Sequence, residues 1–129
     1  MVQKTIALIA HDGKKDEMVA FVKTYHDILA PMNLIATGTT GSKIQETGLK
    51  VTRKLSGPAG GDAQIAAMAA EGSLSAIVFF RDPLGKHPHE PDVQMLLRVC
   101  DVHNVPLATN MASAKYLLLG LIEEKEGNY

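Results

Sequence analysis

Short apolar or β-branched runs alternate with longer amphipathic stretches from one end of the chain to the other, and this alternation predicts five strand-helix units. Thr5 to Ala10 reads as a first strand. From about Lys14 to Leu29, the residues Met18, Phe21, Val22, Tyr25, Ile28 and Leu29 recur at helical spacing, and Pro31 and Asn33 stop the helix. A second strand, Leu34 to Thr37, runs into Gly38-Thr39-Thr40-Gly41, which reads as a loop, with Ser42 capping a short helix that ends near Gly48. Lys50 to Leu55 is a weaker third strand. Ser56 to Gly61 is a loop by composition, and an alanine-rich helix begins at about Asp62 and ends at Glu71-Gly72. Ala76 to Phe80 is the clearest buried strand. The proline-rich segment from Arg81 to Pro91 suits neither a helix nor a central strand and is expected to be an extended loop. Asp92 then caps a helix through Val93, Leu96, Leu97 and Cys100 to His103, Pro106 to Thr109 forms a last strand, and Ala112 to Ile122 a last helix.

Strands and helices in strict alternation imply an α/β fold: a parallel sheet covered by helices on both faces, joined by right-handed crossovers. In such a sheet, ligands bind beyond the carboxyl ends of the strands. The residues with chemistry to offer cluster at those ends. His11, Asp12 and Lys15 follow strand one, Gly38 to Gly41 follow strand two, Ser56 to Asp62 follow strand three, and Asp82, His87, His89 and Asp92 follow strand four.

With 129 residues the chain is expected to form one domain spanning 1–129, since this length buries one substantial core. Composition excludes some classes of function. A formal net charge of -1 provides no overall basic field for a nucleic acid or an anionic membrane, so any anion site must be local. No apolar run approaches the roughly 20 residues of a membrane-spanning helix. The single cysteine, Cys100, cannot form an internal disulfide, and the N-terminal stretch lacks a signal-peptide cleavage pattern, so a cytoplasmic protein is expected. Cys100 falls in the apolar pattern of its helix and reads as a buried structural thiol.

Two of the strand-end loops suit phosphate. Glycine lets the backbone approach an anion, Thr39, Thr40 and Ser56 add hydroxyl donors, helix N-termini offer amides, and Lys15 adds a full charge. Gly-Thr-Thr-Gly alone is a weak signal, being neither a P-loop nor a dinucleotide fingerprint; the pairing of two such loops strengthens it. Asp12, Asp62, Asp82, Asp92, His11 and His89 are acid-base candidates. Helix capping is the plain alternative for Asp62 and Asp92, and solvation for a loop histidine. The stretch His87-x-His89-Glu90-x-Asp92 has metal-ligand residue types, but its interleaved prolines argue against a coordinating geometry, and no metal is expected.

The blocks Ala10-His11-Asp12, Ala36-Thr37-Gly38-Thr39-Thr40-Gly41, Leu55-Ser56-Gly57-Pro58 with Gly60-Gly61-Asp62, and Phe79-Phe80-x-Asp82-Pro83-Leu84 resemble the methylglyoxal synthase family. Pro88-His89-x-Pro91-Asp92-Val93 and Asn104-Val105-Pro106-x-Ala108-Thr109-Asn110 extend the likeness, in order, over nearly the whole chain. The resemblance implies a three-layer α/β/α fold with a five-stranded parallel sheet in the order 3-2-1-4-5. It implies a cytoplasmic lyase that converts dihydroxyacetone phosphate to methylglyoxal and inorganic phosphate without cofactor or metal, as a glycolytic bypass. It also implies a homohexamer under allosteric inhibition by phosphate.

Carried over by position, Asp62 matches the catalytic base. His11, Lys15, Thr37, Gly38, Thr39, Thr40, Ser56, Gly57 and His89 match substrate-binding positions, His89 also acting on the developing oxyanion, and Asp82 and Asp92 match supporting acidic residues. The tail Glu123 to Tyr129 departs from the family where longer members continue with a basic residue near phosphate, and altered phosphate cooperativity is expected on that ground. Two other readings share these loops. An effector-binding module would keep the phosphate site without needing the Asp62 and His89 pair, and a phosphosugar isomerase would take the same substrate to a different product.

Overall fold

The computed structural model describes residues 3–56, 59–85 and 90–124, with the side chains of 90–92 and 124 outside the description. Five strands, β1 (Thr5–Ala10), β2 (Asn33–Thr37), β3 (Thr52–Lys54), β4 (Ala76–Phe80) and β5 (Leu107–Ala108), form an all-parallel sheet in the order β3-β2-β1-β4-β5. This is the order that the family resemblance implied. The central strand β1 pairs on one side with β2, Leu8 opposite Ala36, and on the other with β4, Leu8 opposite Val78.

Side chains alternate across the sheet, so β1 feeds two cores. Ile6, Leu8 and Ala10 pack with Val78 and Phe80 against Met18, Phe21 and Val22 of α1 (Lys15–Thr24), Leu29 of α2 (His26–Leu29), Ile44 of α3 (Gly38–Gln45), and Leu118 and Leu121 of α6 (Met111–Glu124). Ala7 and Ile9 pack with Ile77 and Phe79 against Ile65, Ala66 and Ala69 of α4 (Gly61–Ala70) and Val93, Leu96 and Cys100 of α5 (Glu90–His103). Helices therefore cover both faces, in three layers. That double cover explains why β1 and β4 read as unbroken apolar runs rather than as alternating ones. No described helix is long and apolar enough to cross a membrane.

Several element boundaries differ from the sequence expectation, each for a local reason. The first helix divides at Tyr25, whose backbone leaves helical geometry (φ -108, ψ 26) while its ring tilts onto Phe21 at 5.1 Å and Leu29 enters the core. Helix α3 starts at Gly38 rather than at Ser42, so Gly38 to Gly41 form its first turn and Ser42 is no cap. A left-handed Gly38 (φ 36) turns the chain directly from β2 into that helix, and burial of Thr40, Gly41 and Ile44 outweighs the poor helix propensity of the segment. Strands β3 and β5 are shorter than expected. Asp62 and Asp92 are not caps: Gly60 (φ 105) precedes the first turn of α4, and α5 begins at Glu90 with Pro91 accommodated in its first turn. Helix α6 begins at Met111, and its cap is Asn110, whose Oδ1 accepts from the Ser113 amide at 2.9 Å.

Cys100 is buried at 1% exposure, as expected. Burial first, and then the neighbouring Asp101 carboxylate, push its thiol up from 9.0 to about 11. At pH 7 this alone cuts the thiolate fraction about 100-fold, so modification by a thiol reagent is expected to be at least that much slower in the native protein than in urea. Rapid native labelling would contradict the burial. Because the folded thiol ionises above the unfolded one, the stability it contributes is fully present below pH 9 and is lost as pH rises towards 11.

Candidate active site

The carboxyl ends of β1, β2, β3 and β4 carry the candidate residues, and direct contacts tie their loops together. Among the described residues, the buried polar or charged side chains are His11, Thr37, Thr40 and Asp62, at 5%, 4%, 2% and 1% exposure. All four are residues singled out from the sequence. Sequestering polar groups costs free energy unless the fold compensates or uses them, so their concentration at one end of the sheet makes that end the candidate site.

His11 follows β1 and is held from three directions. Its amide donates to the Phe80 carbonyl at 3.1 Å, continuing the ladder between β1 and β4. Its ring stands edge-on to Phe79, with centroids 5.1 Å apart at 78°. Its Nδ1 accepts from the Asp82 amide at 3.0 Å. A nitrogen that accepts from an N–H carries no proton itself, so the neutral imidazole must carry its hydrogen on Nε2, which is a buried atom. His11 is thereby fixed as an Nε2–H donor.

A single 3-10 turn, Asp12–Lys14, separates His11 from α1. It swings Lys15 back so that Nζ lies 3.4 Å from the Ala10 carbonyl and 2.6 Å from Asp12 Oδ1. The Lys15 side chain is 13% exposed and that of Asp12 fully exposed. The pair itself is worth little in solvent, yet together with the Ala10 carbonyl it places a cation at the strand end.

Thr37, at the end of β2, occupies the position before α3 in an extended conformation (φ -85, ψ 142). The Thr40 hydroxyl donates to the Ala10 carbonyl at 3.4 Å, pinning the first turn of α3 beside β1. Thr39 faces solvent on the same turn. Gly38 lies so close to the next loop that a Cβ there would sit 2.8 Å from Ser56 Cα. The two glycine- and hydroxyl-rich loops thus stack on one another, with Ser56 exposed at the mouth. The start of α3 lies in the same place, so glycines, hydroxyls and helix amides, the groups suited to an anion, are brought together there.

The Ser56 loop closes onto α4. The Gly61 amide donates to the Ser56 carbonyl at 2.8 Å and the Ala59 amide to the same oxygen at 3.1 Å, which brings Asp62 into the first turn of the helix directly behind the loop. Both carboxylate oxygens of Asp62 are buried. Asp82 has a structural part as well: its Oδ1 accepts from the Leu84 and Gly85 amides at 3.1 and 3.2 Å, folding the chain after β4 into a tight turn. Its Oδ2 lies where a Cβ on Gly13 would come within 2.9 Å. Gly57, His89 and the side chain of Asp92 lie outside the described residues, as does His87.

Three neighbours of the site had no signal in the sequence. Gly13 leaves room for Asp82. Arg53 lays its stem across Gly41 and donates from Nε to the Gly38 carbonyl at 3.3 Å. Gln64 accepts from the Leu55 amide through Oε1 at 2.8 Å. None belongs to a motif, and each acts through a contact that only folding creates.

A family model for the MGS-like domain matches residues 17–109. A methylglyoxal synthase of Thermus thermophilus is 63% identical over 116 residues, covering 89% of this chain and 92% of that protein. One of Cupriavidus taiwanensis is 61% identical over 120 residues, covering 92% and 90%. The crystal structure of methylglyoxal synthase from Elizabethkingia anophelis superposes with a TM-score of 0.85 at 46% identity, over 90% of this chain and 77% of that one. Sheet order, the polar cluster at the strand ends and these similarities agree: the chain belongs to the methylglyoxal synthase family.

Proposed function

We propose that this chain is a methylglyoxal synthase, a carbon-oxygen lyase that takes dihydroxyacetone phosphate to methylglyoxal and inorganic phosphate. The observation that carries this reading is the coincidence of four buried polar side chains, His11, Thr37, Thr40 and Asp62, with the strand ends where groups suited to an anion are brought together. Asp62, closed off from water, takes a proton from the carbon that bears the free hydroxyl, next to the ketone. The electron pair moves into the carbonyl to give an enediolate, whose oxygen is met by the Nε2–H of His11 and by His89. Lys15, Thr39, Thr40, Ser56 and Gly57 hold the phosphate through its charge and oxygens. A proton passes from the hydroxyl oxygen to the former ketone oxygen. The deprotonated carbon then forms the aldehyde carbonyl, the double bond shifts to the phosphate-bearing carbon, and the carbon-oxygen bond to phosphate breaks, phosphate leaving with the electron pair. The enol that remains takes up a proton on its terminal carbon to become methylglyoxal.

Elimination requires the breaking bond to stand perpendicular to the enediolate plane, so the phosphate loops choose between lyase and isomerase chemistry by orientation. Asp82 and Asp92 support the site from the β4 side. By the family resemblance, residues 1–129 act as one domain of a cytoplasmic homohexamer that needs no cofactor or metal and is inhibited by phosphate.

Incubating the metal-free protein with dihydroxyacetone phosphate tests the reading. Equal amounts of methylglyoxal and phosphate should appear, well above the spontaneous rate. Phosphate-ligand binding without release would instead make the chain an effector-binding module, and glyceraldehyde 3-phosphate as the product would make it an isomerase.

A further inference from the structure

The Ser56 loop must stay in register with α4, because the loop offers groups to phosphate while the helix carries Asp62. Among the described residues two hydrogen bonds join them, the Gly61 amide to the Ser56 carbonyl and the Leu55 amide to Gln64 Oε1, while the Ala59 amide closes the loop on itself at the same Ser56 carbonyl. The first is a backbone bond that needs the close approach only Gly61 allows. The second depends on one side chain. Its donor is a backbone N–H, so the Gln64 atom that faces it must be the carbonyl oxygen.

The Gln64 bond joins the exit of β3 to the first turns of α4, two residues beyond Asp62. Its surroundings are tight towards α4 and towards α3. The Leu55 carbonyl lies directly over Gly61, where a Cβ would overlap its oxygen, so the loop cannot move inward. Gly38, whose Cβ position lies 2.8 Å from Ser56 Cα, closes the side towards α3, and on the remaining side Leu55 is 52% exposed and Ser56 faces solvent. Gln64 is the strap on that open side.

We propose that Gln64 is a positioning residue that sets the phosphate loop at a fixed offset from the catalytic carboxylate. Its role rests on the lyase reading for turnover but not for phosphate binding. A glutamine serves where a glutamate would accept the same bond, because a carboxylate beside the loop would repel the phosphate dianion.

Calorimetric titration with inorganic phosphate and steady-state kinetics on Gln64→Met and Gln64→Glu test this. Met keeps the length and helix propensity of the side chain but has no comparable acceptor. One lost neutral hydrogen bond at a half-exposed site predicts about fivefold weaker phosphate binding. KM for dihydroxyacetone phosphate should rise by a similar factor and kcat should fall as well, because a displaced loop also turns the breaking bond away from its productive orientation. Glu keeps the acceptor and adds a charge. Its deficit relative to wild type should fade as ionic strength rises, whereas that of Met should persist. A purely structural role would lower the unfolding midpoint without changing phosphate affinity.

Phosphate affinity of Gln64→Met equal to wild type overturns the assignment, as does a Met deficit that fades with salt in step with that of Glu. Wild-type protein that binds phosphate but releases no methylglyoxal refutes the lyase reading while leaving the binding comparison decisive. Wild-type protein that fails to bind phosphate refutes both.

Discussion

Asp62→Asn is expected to reduce methylglyoxal release by about a thousandfold or more, the size of effect lost with a well-placed general base. Asparagine has nearly the same shape as aspartate, so the first turn of α4 and the Ser56 loop above it should keep their positions. What it lacks is a lone pair basic enough to take a proton from carbon. Removing a negative charge from the neighbourhood of a phosphate dianion does not weaken binding, so the affinity for inorganic phosphate should stay within about threefold of wild type or improve. Single-turnover measurement of methylglyoxal, alongside phosphate titration of the same preparation, separates the two quantities. Turnover within about tenfold of wild type would remove Asp62 from the role of base. Parallel loss of turnover and phosphate binding would place it in the cradle instead.

Gly61→Ala should have the next largest effect, acting on the fold and the site together. The residue does not need a left-handed backbone, and alanine is the better helix former, so propensity alone would favour the change. Contact reverses the sign. The added Cβ would collide with the Leu55 carbonyl oxygen and lie 2.9 Å from that of Ser56, and both obstacles are backbone atoms that cannot rotate aside. The Ser56 loop must lift off α4, straining its hydrogen bonds to the Gly61 and Ala59 amides. A loss of about 3 kcal/mol in urea unfolding is expected from overpacking of this kind, with a severe loss of phosphate binding. Gly120→Ala is the matched comparison. Gly120 sits in the exposed face of α6 with nothing within 4 Å of its Cβ position, and there the same substitution should stabilise by about 0.5–1 kcal/mol. Similar unfolding energies for the two variants would show that the approach of Leu55 to Gly61 is not tight in solution.

The value of these two positions lies in their closeness. Gly61 sets how near the loop can come to the helix, Asp62 follows it directly, and Gln64 keeps the loop from drifting away. In the proposed mechanism, charge, shape and hydrogen bonding of one helical turn thus control both the binding of phosphate and the proton transfer that precedes its departure.

Much of this architecture was readable from the linear pattern. Thr5–Ala10 and Ala76–Phe80 stand out because a strand buried on both faces must be apolar at nearly every position, and their boundaries agree with expectation. Alternation of strands and helices dictated a parallel sheet, which in turn put every strand-end loop on one side. The sheet order came through the family resemblance, not from periodicity. Cys100 was legible as a core thiol because it falls on the apolar face of its helix.

Where expectation and structure part, long-range contact has overridden a local tendency. Gly38-Thr39-Thr40-Gly41 has the composition of a loop, yet it becomes the first turn of α3 because Thr40 reaches the Ala10 carbonyl and Arg53 reaches the Gly38 carbonyl. Asp62 has the identity of a helix cap, yet the left-handed Gly60 enters the helix before it and carries it inside the first turn, where it is buried. The tautomer of His11 depends on the amide of Asp82, 71 residues away, and no local pattern encodes that pairing. Gln64 likewise has no signature, since its acceptor matters only once β3 has joined the sheet and delivered the Leu55 amide to it. Residue types and spacing, which report local periodicity and chemical capacity, were enough to propose the fold class and the participants. Their burial, tautomer and mutual offset arise from packing between segments distant in the chain, and those were decided by the tertiary structure alone.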